Sequence, residues 1–213
     1  MSFLKFGNEH DIFDLYNNGT IYMNPLYKFT EMEDNELRGD KYEGVTEIRN
    51  YPAGQFIIPS IERPFKYQSF HLTETSKYNL GNIYSLYAIS SYGFPIPKDF
   101  HIDDRVKRFG SHFLMIKNLP VFFQLMKQKL LLAGYVAYHD FVDYYDKRII
   151  NGKISVFQKP IEFEYQKEFR FYVNNKLSQP LIIKIGSLKK ISEIHCTDEI
   201  KGLRLQSKKT YHL

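Results

Sequence analysis

Residues 162–173 read Glu-Phe-Glu-Tyr-Gln-Lys-Glu-Phe-Arg-Phe-Tyr-Val, and apolar and polar side chains alternate through them. This alternation is typical of a strand that turns one face toward a core. The core-side positions, mostly apolar or aromatic, are Phe163, Tyr165, Lys167, Phe169, Phe171 and Val173. The opposite positions, mostly charged or polar, are Glu162, Glu164, Gln166, Glu168, Arg170 and Tyr172. We predict a strand across these residues, whose polar face either meets solvent or forms the floor of a cleft.

The remaining hydrophobic patterns place helices mainly before this strand and strands around and after it. Strands are predicted at 3–6, 20–23, 83–90, 113–116, 135–138, 160–173, 181–185 and 191–195. Helices are predicted at 8–17, ended by Asn18-Gly19, and from Pro120 to the stop at Gly134. Residues 26–37 fit a short helix or loop, and 45–80 fit short strands and loops. We predict one α+β domain over 1–213, with mostly antiparallel strands.

Length and composition limit the cellular setting. The chain has 213 residues and a single cysteine, Cys196, which cannot build a disulfide framework. We find no signal-peptide pattern and no apolar run near the roughly 20 residues that span a bilayer. We therefore expect a cytoplasmic protein without a membrane partner.

The net charge of +5 is unevenly distributed along the chain. Acidic residues concentrate in 31–47, and basic residues concentrate in 189–209. A basic surface attracts nucleic acid through its phosphates, although an ordinary lysine-rich surface has the same composition. Nucleic acid is therefore a candidate partner.

A second polar cluster comprises Arg38, Asp40 and Glu43, with Gly39 and Gly44 beside them. Glycines allow a ligand to approach the backbone closely, and an arginine fork binds two phosphate oxygens at once. The segment therefore fits either a phosphate site or an exposed acidic loop.

Four short motifs resemble those of a poorly characterised bacterial family. They are Leu4-Lys-Phe6, Gly19-Thr-Ile-Tyr-Met-Asn-Pro25, Asp40-Lys-Tyr-Glu-Gly44 and Tyr165-Gln-Lys-Glu-Phe-Arg170. The match spans most of the chain but implies no particular reaction.

The motif Gln166-Lys-Glu168 on a late strand also resembles that of ADP-ribosyltransferases, including the DarT-like toxins that modify nucleic acid. Ile89-Ser-Ser91 after the middle strand and Arg38 upstream agree with this order of parts. The chain departs from the pattern because its first strand has no His-x-Thr and its middle strand has no clear Ser-Thr-Ser.

The second resemblance implies an ADP-ribosyltransferase-like fold with NAD as the substrate. Glu168 would be the catalytic carboxylate, and Gln166 would orient the acceptor. Arg38 would hold the pyrophosphate, Ser90 would lie in the NAD pocket, and one of three aromatic residues would stack on nicotinamide: Phe6, Tyr22 or Tyr27. No metal would be required, and the biological role would be that of a toxin or phage-defence effector, with an antitoxin as a possible partner.

Two other functions remain open. A metal-dependent nuclease would gather Glu43, Asp140, Glu199 and Lys201 around Mg²⁺. A non-catalytic module for nucleic acid or protein would leave the polar strand merely solvated. The sequence has no Gly-x-x-x-x-Gly-Lys, Gly-x-Gly-x-x-Gly, His-Glu-x-x-His or Gly-x-Ser-x-Gly motif.

Overall fold

A computed structural model describes residues 1–32, 39–57, 59–60, 63–75, 81–89, 102–175 and 179–202. The α-helices there are α1 (Glu9–Asn18), α2 (Tyr27–Glu31) and α3 (Leu119–Leu132), and 3₁₀ helices cover Asp104–Phe109, Ile161–Gln166 and Thr197–Gly202. The first strands are β1 (Ser2–Gly7), β2 (Thr20–Pro25), β3 (Val45–Tyr51), β4 (Gly54–Phe56), β5 (Phe65–Tyr67), β6 (Phe70–Thr75), β7 (Asn82–Ile89) and β8 (His112–Ile116). The later strands are β9 (Ala137–Phe141), β10 (Asp143–Tyr145), β11 (Gly152–Lys153), β12 (Gln158–Pro160), β13 (Glu168–Val173), β14 (Leu181–Lys184) and β15 (Ser192–Cys196).

The main sheet is built on β7, and its ladders in the described residues are antiparallel. β13 pairs along β7 from Glu168 opposite Tyr87 to Val173 opposite Asn82, and β9 covers the other edge of β13. β8 and β15 extend the sheet beyond β1, and β14 extends it beyond β2. Smaller sheets pair β3 with β6 and β11, β4 with β5, and β10 with β12.

The main sheet splits between β1 and β2. β1 pairs with β7 only as far as Leu4 opposite Tyr87, whereas β2 pairs with β7 at Asn24 opposite Ile83. Both strands are antiparallel to β7, so they run in the same direction and diverge around its central residues. Helix α1 connects them, and the wedge that they enclose becomes the cavity described below.

Local signals explain how α1 makes this connection. The Asn8 side chain caps the helix by accepting a hydrogen bond from the Asp11 backbone N–H at 2.8 Å. Gly19 ends the helix in the left-handed conformation, with φ of 65°, which glycine adopts without a Cβ clash. Strand β2 then begins at the next residue.

The core lies on both faces of the main sheet. The larger cluster packs β-strand residues such as Phe3, Leu86 and Phe171 against α1 and α3. The smaller cluster, on the opposite face, joins Leu4 and Tyr87 with residues of the three 3₁₀ helices. Two covered faces make the sheet a rigid support for the side chains at its split.

The predicted α+β class with mostly antiparallel strands is confirmed. The predicted strand at 160–173 is wrong in its first part, because Ile161–Gln166 forms a 3₁₀ helix and only Glu168–Val173 is a strand of the main sheet. Phe163 and Tyr165 are buried in the smaller cluster, whereas Phe169 and Phe171 are buried in the larger one. The alternation therefore spans two elements that pack on opposite sides.

Candidate active site

The split in the sheet opens into a cavity of about 540 Å³. Residues of β1, α1, β2 and β7 form its walls, and residues 159–170 contribute Lys159, Gln166, Glu168 and Arg170. Its volume lies within the range of small-molecule sites, roughly 300–1,000 Å³. The cavity is therefore large enough for a nucleotide-sized ligand.

Glu168 is held in this cavity by hydrogen-bond donors from two other strands and from its own strand. Its side chain is only 6% exposed. Oε1 accepts hydrogen bonds from Arg170 Nε at 2.6 Å and from the Ser85 hydroxyl, and Oε2 accepts one from Lys159 Nζ at 3.3 Å. The Glu168 backbone N–H donates to the Tyr144 hydroxyl at 2.9 Å. These contacts fix the carboxylate in one orientation.

Lys159 joins Gln166 to Glu168. Its Nζ donates to Oε1 of Gln166 at 2.8 Å, and the Lys159 side chain is 5% exposed. Lys167, between the 3₁₀ helix and β13, has a φ of 38°, so the chain turns sharply between the two elements. Gln166 and Glu168 consequently face one cavity although they do not share a strand.

Arg170 connects this group to the Asp40–Glu43 turn. Its Nη1 and Nη2 donate to the two carboxylate oxygens of Glu43 at 2.8 and 2.7 Å, and Nη1 also donates to the Val156 carbonyl at 2.5 Å. Asp40 is 2% exposed, and one of its carboxylate oxygens accepts a hydrogen bond from the Tyr42 backbone N–H at 2.8 Å. The structure thus brings together the two polar clusters that are far apart in sequence.

The pKa values of these carboxyls move in opposite directions. Burial, followed by the neighbouring charge of Glu43, raises the pKa of Asp40 to about 6. Burial also acts to raise the pKa of Glu168, but the charges of Arg170 and Lys159 outweigh it and the pKa falls to about 2. Glu168 is therefore a carboxylate at neutral pH, and its charge is balanced by Arg170 and Lys159.

Aromatic rings line the walls of the cavity. The side chains of Phe6, Tyr22, Phe29, Tyr84, Tyr87 and Phe109 contribute. Lys5 Nζ lies 4.2 Å from the centroid of the Tyr84 ring and donates to the Ser85 carbonyl at 2.9 Å. The buried hydroxyls of Tyr84 and Tyr87 have no hydrogen-bond partner within the described residues. Flat apolar rings suit a ligand that carries aromatic groups.

Four of the predicted site residues line this cavity: Glu168, Gln166, Phe6 and Tyr22. Tyr27 lies in α2 and is not part of the cavity wall. The prediction for Arg38 and the prediction for Ser90 fall outside the described residues. The arginine that contacts Glu168 in the described structure is Arg170 of the same strand.

Sequence reasoning missed Ser85 and Lys159. Ser85 is a small polar residue inside the apolar run Ile83-Tyr-Ser-Leu-Tyr87, and that contrast is a usable signal for a functional hydroxyl. Lys159 has no such signal, because its ammonium reaches Glu168 only through the turn of the 3₁₀ helix.

The three carboxylates grouped by the nuclease hypothesis lie on separate elements. Glu43 contacts Arg170, and Asp140 is exposed on β9. Glu199, in the Thr197–Gly202 segment, accepts a hydrogen bond from His195 of β15. Within the ranges that the structure describes, no group of three or more His, Cys, Asp or Glu side chains is arranged to hold a metal ion.

Comparison of the chain with family models, curated proteins and solved structures finds no match. In the part of the chain with described structure, no helix combines the length and apolar composition needed to cross a bilayer. The cavity and its side chains are therefore the features that point to a function.

Proposed function

We propose that the chain is an ADP-ribosyltransferase that uses NAD to modify a macromolecule, with nucleic acid as the acceptor. The observation that carries this proposal is the position of Glu168. Its ionised carboxylate lies in a ligand-sized cavity, fixed by Ser85 of the neighbouring strand and by Arg170 and Lys159.

The reaction requires a preorganised negative charge. Cleavage of the bond between nicotinamide and ribose leaves the electron pair on nicotinamide and builds positive charge on the ribose. A fixed carboxylate stabilises that charge without reorganising, and removal of one such group costs about 10²–10³ in rate. Gln166, joined to Glu168 through Lys159, is placed to orient the acceptor that forms the new bond and releases a proton.

The cavity lining fits the chemical groups of NAD. Phe6 and Tyr22 offer rings for the flat bases, and Lys5 supplies a cationic group for phosphate. The charged lining comprises three cations and four carboxylates: Lys5, Lys159, Arg170, Asp11, Asp14, Glu43 and Glu168. Charges of both signs in the lining match NAD, which carries negative phosphates and a positively charged nicotinamide ring.

Arg170 has another role in this proposal. It is 0% exposed, and Glu43, Glu168 and Val156 occupy its donors, so it positions Glu168 and leaves phosphate binding to other groups. Arg38 remains the proposed pyrophosphate ligand on the basis of sequence. The proposed setting is the cytoplasm, where such a transferase would act as a toxin or phage-defence effector, held in check by an antitoxin.

The test measures nicotinamide release and the melting temperature with and without NAD. We expect NAD to raise the melting temperature, because a ligand that binds only the native state stabilises it. Glu168→Gln should lower nicotinamide release about 10²–10³-fold. Glu164→Gln, in an exposed residue four positions earlier, is the matched control and should leave release unchanged. Equal activity of the two variants contradicts the proposal.

One observation favours a binding module as the second candidate. Both Glu168 oxygens already accept hydrogen bonds from protein donors, as expected of a structural carboxylate. A module would bind NAD or another nucleotide, with a raised melting temperature, but would release no nicotinamide.

A further inference from the structure

A second pocket, of about 650 Å³, lies beside the sheet formed by β3 and β6. Its lining combines aromatic, amide and basic side chains: Tyr42, Asn50, Tyr51, Pro52, Ser69, Phe70, His71, Lys147, Arg148 and Asn151. Two cations and a histidine are present in this lining, and the cations, Lys147 and Arg148, pair with Glu162 and Asp146 at its border. The pocket is thus chemically complementary to an anion that carries flat rings.

The rings of this pocket continue into an exposed aromatic cluster. The Phe70 centroid lies 6.2 Å from that of Tyr51 and 4.9 Å from that of Phe56, and Phe56 lies 4.8 Å from Tyr67. Tyr51 and Phe56 are 40% and 42% exposed, and these rings belong to none of the buried core clusters. Exposed rings of this kind stack on unpaired bases.

The two cations are on a turn that the sheet holds in place. Asn50 Nδ2 donates to the carbonyls of Lys147 and Ile150 at 2.9 and 2.7 Å. Arg148 forms a surface pair with Asp146, and its side chain is 82% exposed. The pair is bidentate, with Nε and Nη2 donating to the two oxygens of Asp146 at 2.9 and 2.6 Å, and a phosphate that offers two oxygens in the same way can compete for this guanidinium.

The pocket is next to the proposed active site. Tyr42 lines the pocket and contacts His71 there, whereas the carboxylate of the next residue, Glu43, binds Arg170 inside the cavity. One turn of the chain therefore contributes to both sites.

We propose that this pocket and its aromatic cluster bind single-stranded nucleic acid, with bases stacked on Tyr51 and Phe70 and a phosphate at Arg148. That the bound strand is the acceptor rests on the proposed function, whereas the binding itself does not. A duplex keeps its bases stacked inside, so the exposed rings favour an unpaired strand.

The experiment measures fluorescence anisotropy of a labelled 12-nucleotide DNA strand, and of the same strand in a duplex, without NAD. We expect Tyr51→Ala and Arg148→Glu each to weaken binding of the single strand about tenfold. Tyr138→Ala and Lys127→Glu are matched controls, because they alter an exposed ring and an exposed cation elsewhere, and we expect changes below about twofold. We also expect the duplex to bind about tenfold more weakly than the strand.

Absence of binding, tighter binding of the duplex, or equal effects of the test and control variants would overturn the inference. Nicotinamide release is measured on the same proteins. If nicotinamide is released but the single strand does not bind, the proposed function is retained and the proposed binding site is rejected. If strand binding depends on Tyr51 and Arg148 but no nicotinamide is released, the binding site is supported and the proposed transferase function is rejected.

Discussion

Arg170 and Glu43 form a doubly hydrogen-bonded ion pair inside the protein, 127 positions apart in sequence. The Arg170 side chain is 0% exposed and that of Glu43 is 3% exposed. The pair links the turn before β3 to strand β13, and Arg170 also donates a hydrogen bond from Nε to Glu168. The position of the candidate catalytic carboxylate therefore depends on a residue far from it in the chain.

Glu43→Ala should strongly destabilise the fold. The change leaves a buried guanidinium without its main partner, and loss of one member of a buried pair costs about 3–5 kcal/mol. Urea unfolding at pH 7 measures the change. Glu193→Ala is the control, because its pair with Lys117 is about half exposed and should contribute at most about 1 kcal/mol. Similar losses in the two variants would contradict a structural role for Glu43.

Ser85→Ala should reduce catalysis more than it reduces stability. The serine hydroxyl donates to Oε1 of Glu168, so its loss frees the carboxylate to reorient and should slow nicotinamide release about tenfold. The free energy of unfolding should fall by about 1 kcal/mol. Steady-state kinetics and urea unfolding measure the two effects.

The matched control for this prediction is Ser192→Ala. Its hydroxyl is buried and donates to the Leu188 carbonyl, far from Glu168 in the sheet order. We expect a similar loss of stability with unchanged nicotinamide release. If both variants lose activity equally, the Ser85 hydroxyl has no special relation to Glu168.

The elements that were predictable from sequence have local causes. The run Ile83-Tyr-Ser-Leu-Tyr87 is apolar enough to require a buried strand, and Gly19 marks the end of α1. The 3₁₀ helix at Ile161–Gln166 was not predictable in this way, because its alternating pattern matches that of a strand. Its true packing depends on Phe163 and Tyr165 meeting a second core cluster, which no local pattern encodes.

The candidate site was predictable only in part, because a local pattern shows which residues are polar but not which of them meet. The polar positions Glu168 and Arg170 face one side of β13, as period two requires. That Glu43 would meet Arg170 depends on how the turn before β3 folds against the sheet. Side-chain chemistry identified the charged residues in both segments, but only the tertiary fold determines which charges pair.

Asp40→Asn should stabilise the protein at neutral pH and have little effect near pH 4. The folded-state pKa of Asp40 is raised from its ordinary value near 4 to about 6, so folding favours the protonated form. As the pH rises from about 4 to 6, the unfolded state ionises first and the protein loses about 3 kcal/mol. Above pH 6 the penalty stays constant, and the neutral amide avoids it.

Urea unfolding of both proteins at pH 4, 5, 6 and 7 measures this difference. The charges of Glu43, Lys159 and Arg170 also affect the pKa of Asp40. These three residues are present in both proteins, so their own contributions to stability largely cancel in the comparison. The stability of Asp40→Asn relative to the unchanged protein should rise across this range and then level off. A difference that does not vary with pH would show that the Asp40 carboxyl has an ordinary pKa.

Gly19→Ala should destabilise the junction of α1 and β2 more than Gly134→Ala destabilises the end of α3. Both glycines have positive φ, 65° and 83°, so an added Cβ costs roughly 1–2 kcal/mol of backbone strain at each. At Gly19 the Cβ would also lie 2.0 Å from the Gly186 carbonyl oxygen, whereas at Gly134 nothing lies within 4 Å. Relief of that clash must shift the backbone near the hydrogen bond that the Ile185 N–H donates to the Gly19 carbonyl. Urea unfolding should therefore give the larger loss for Gly19→Ala, and equal losses would mean that α1 and the Gly186 turn do not pack this closely.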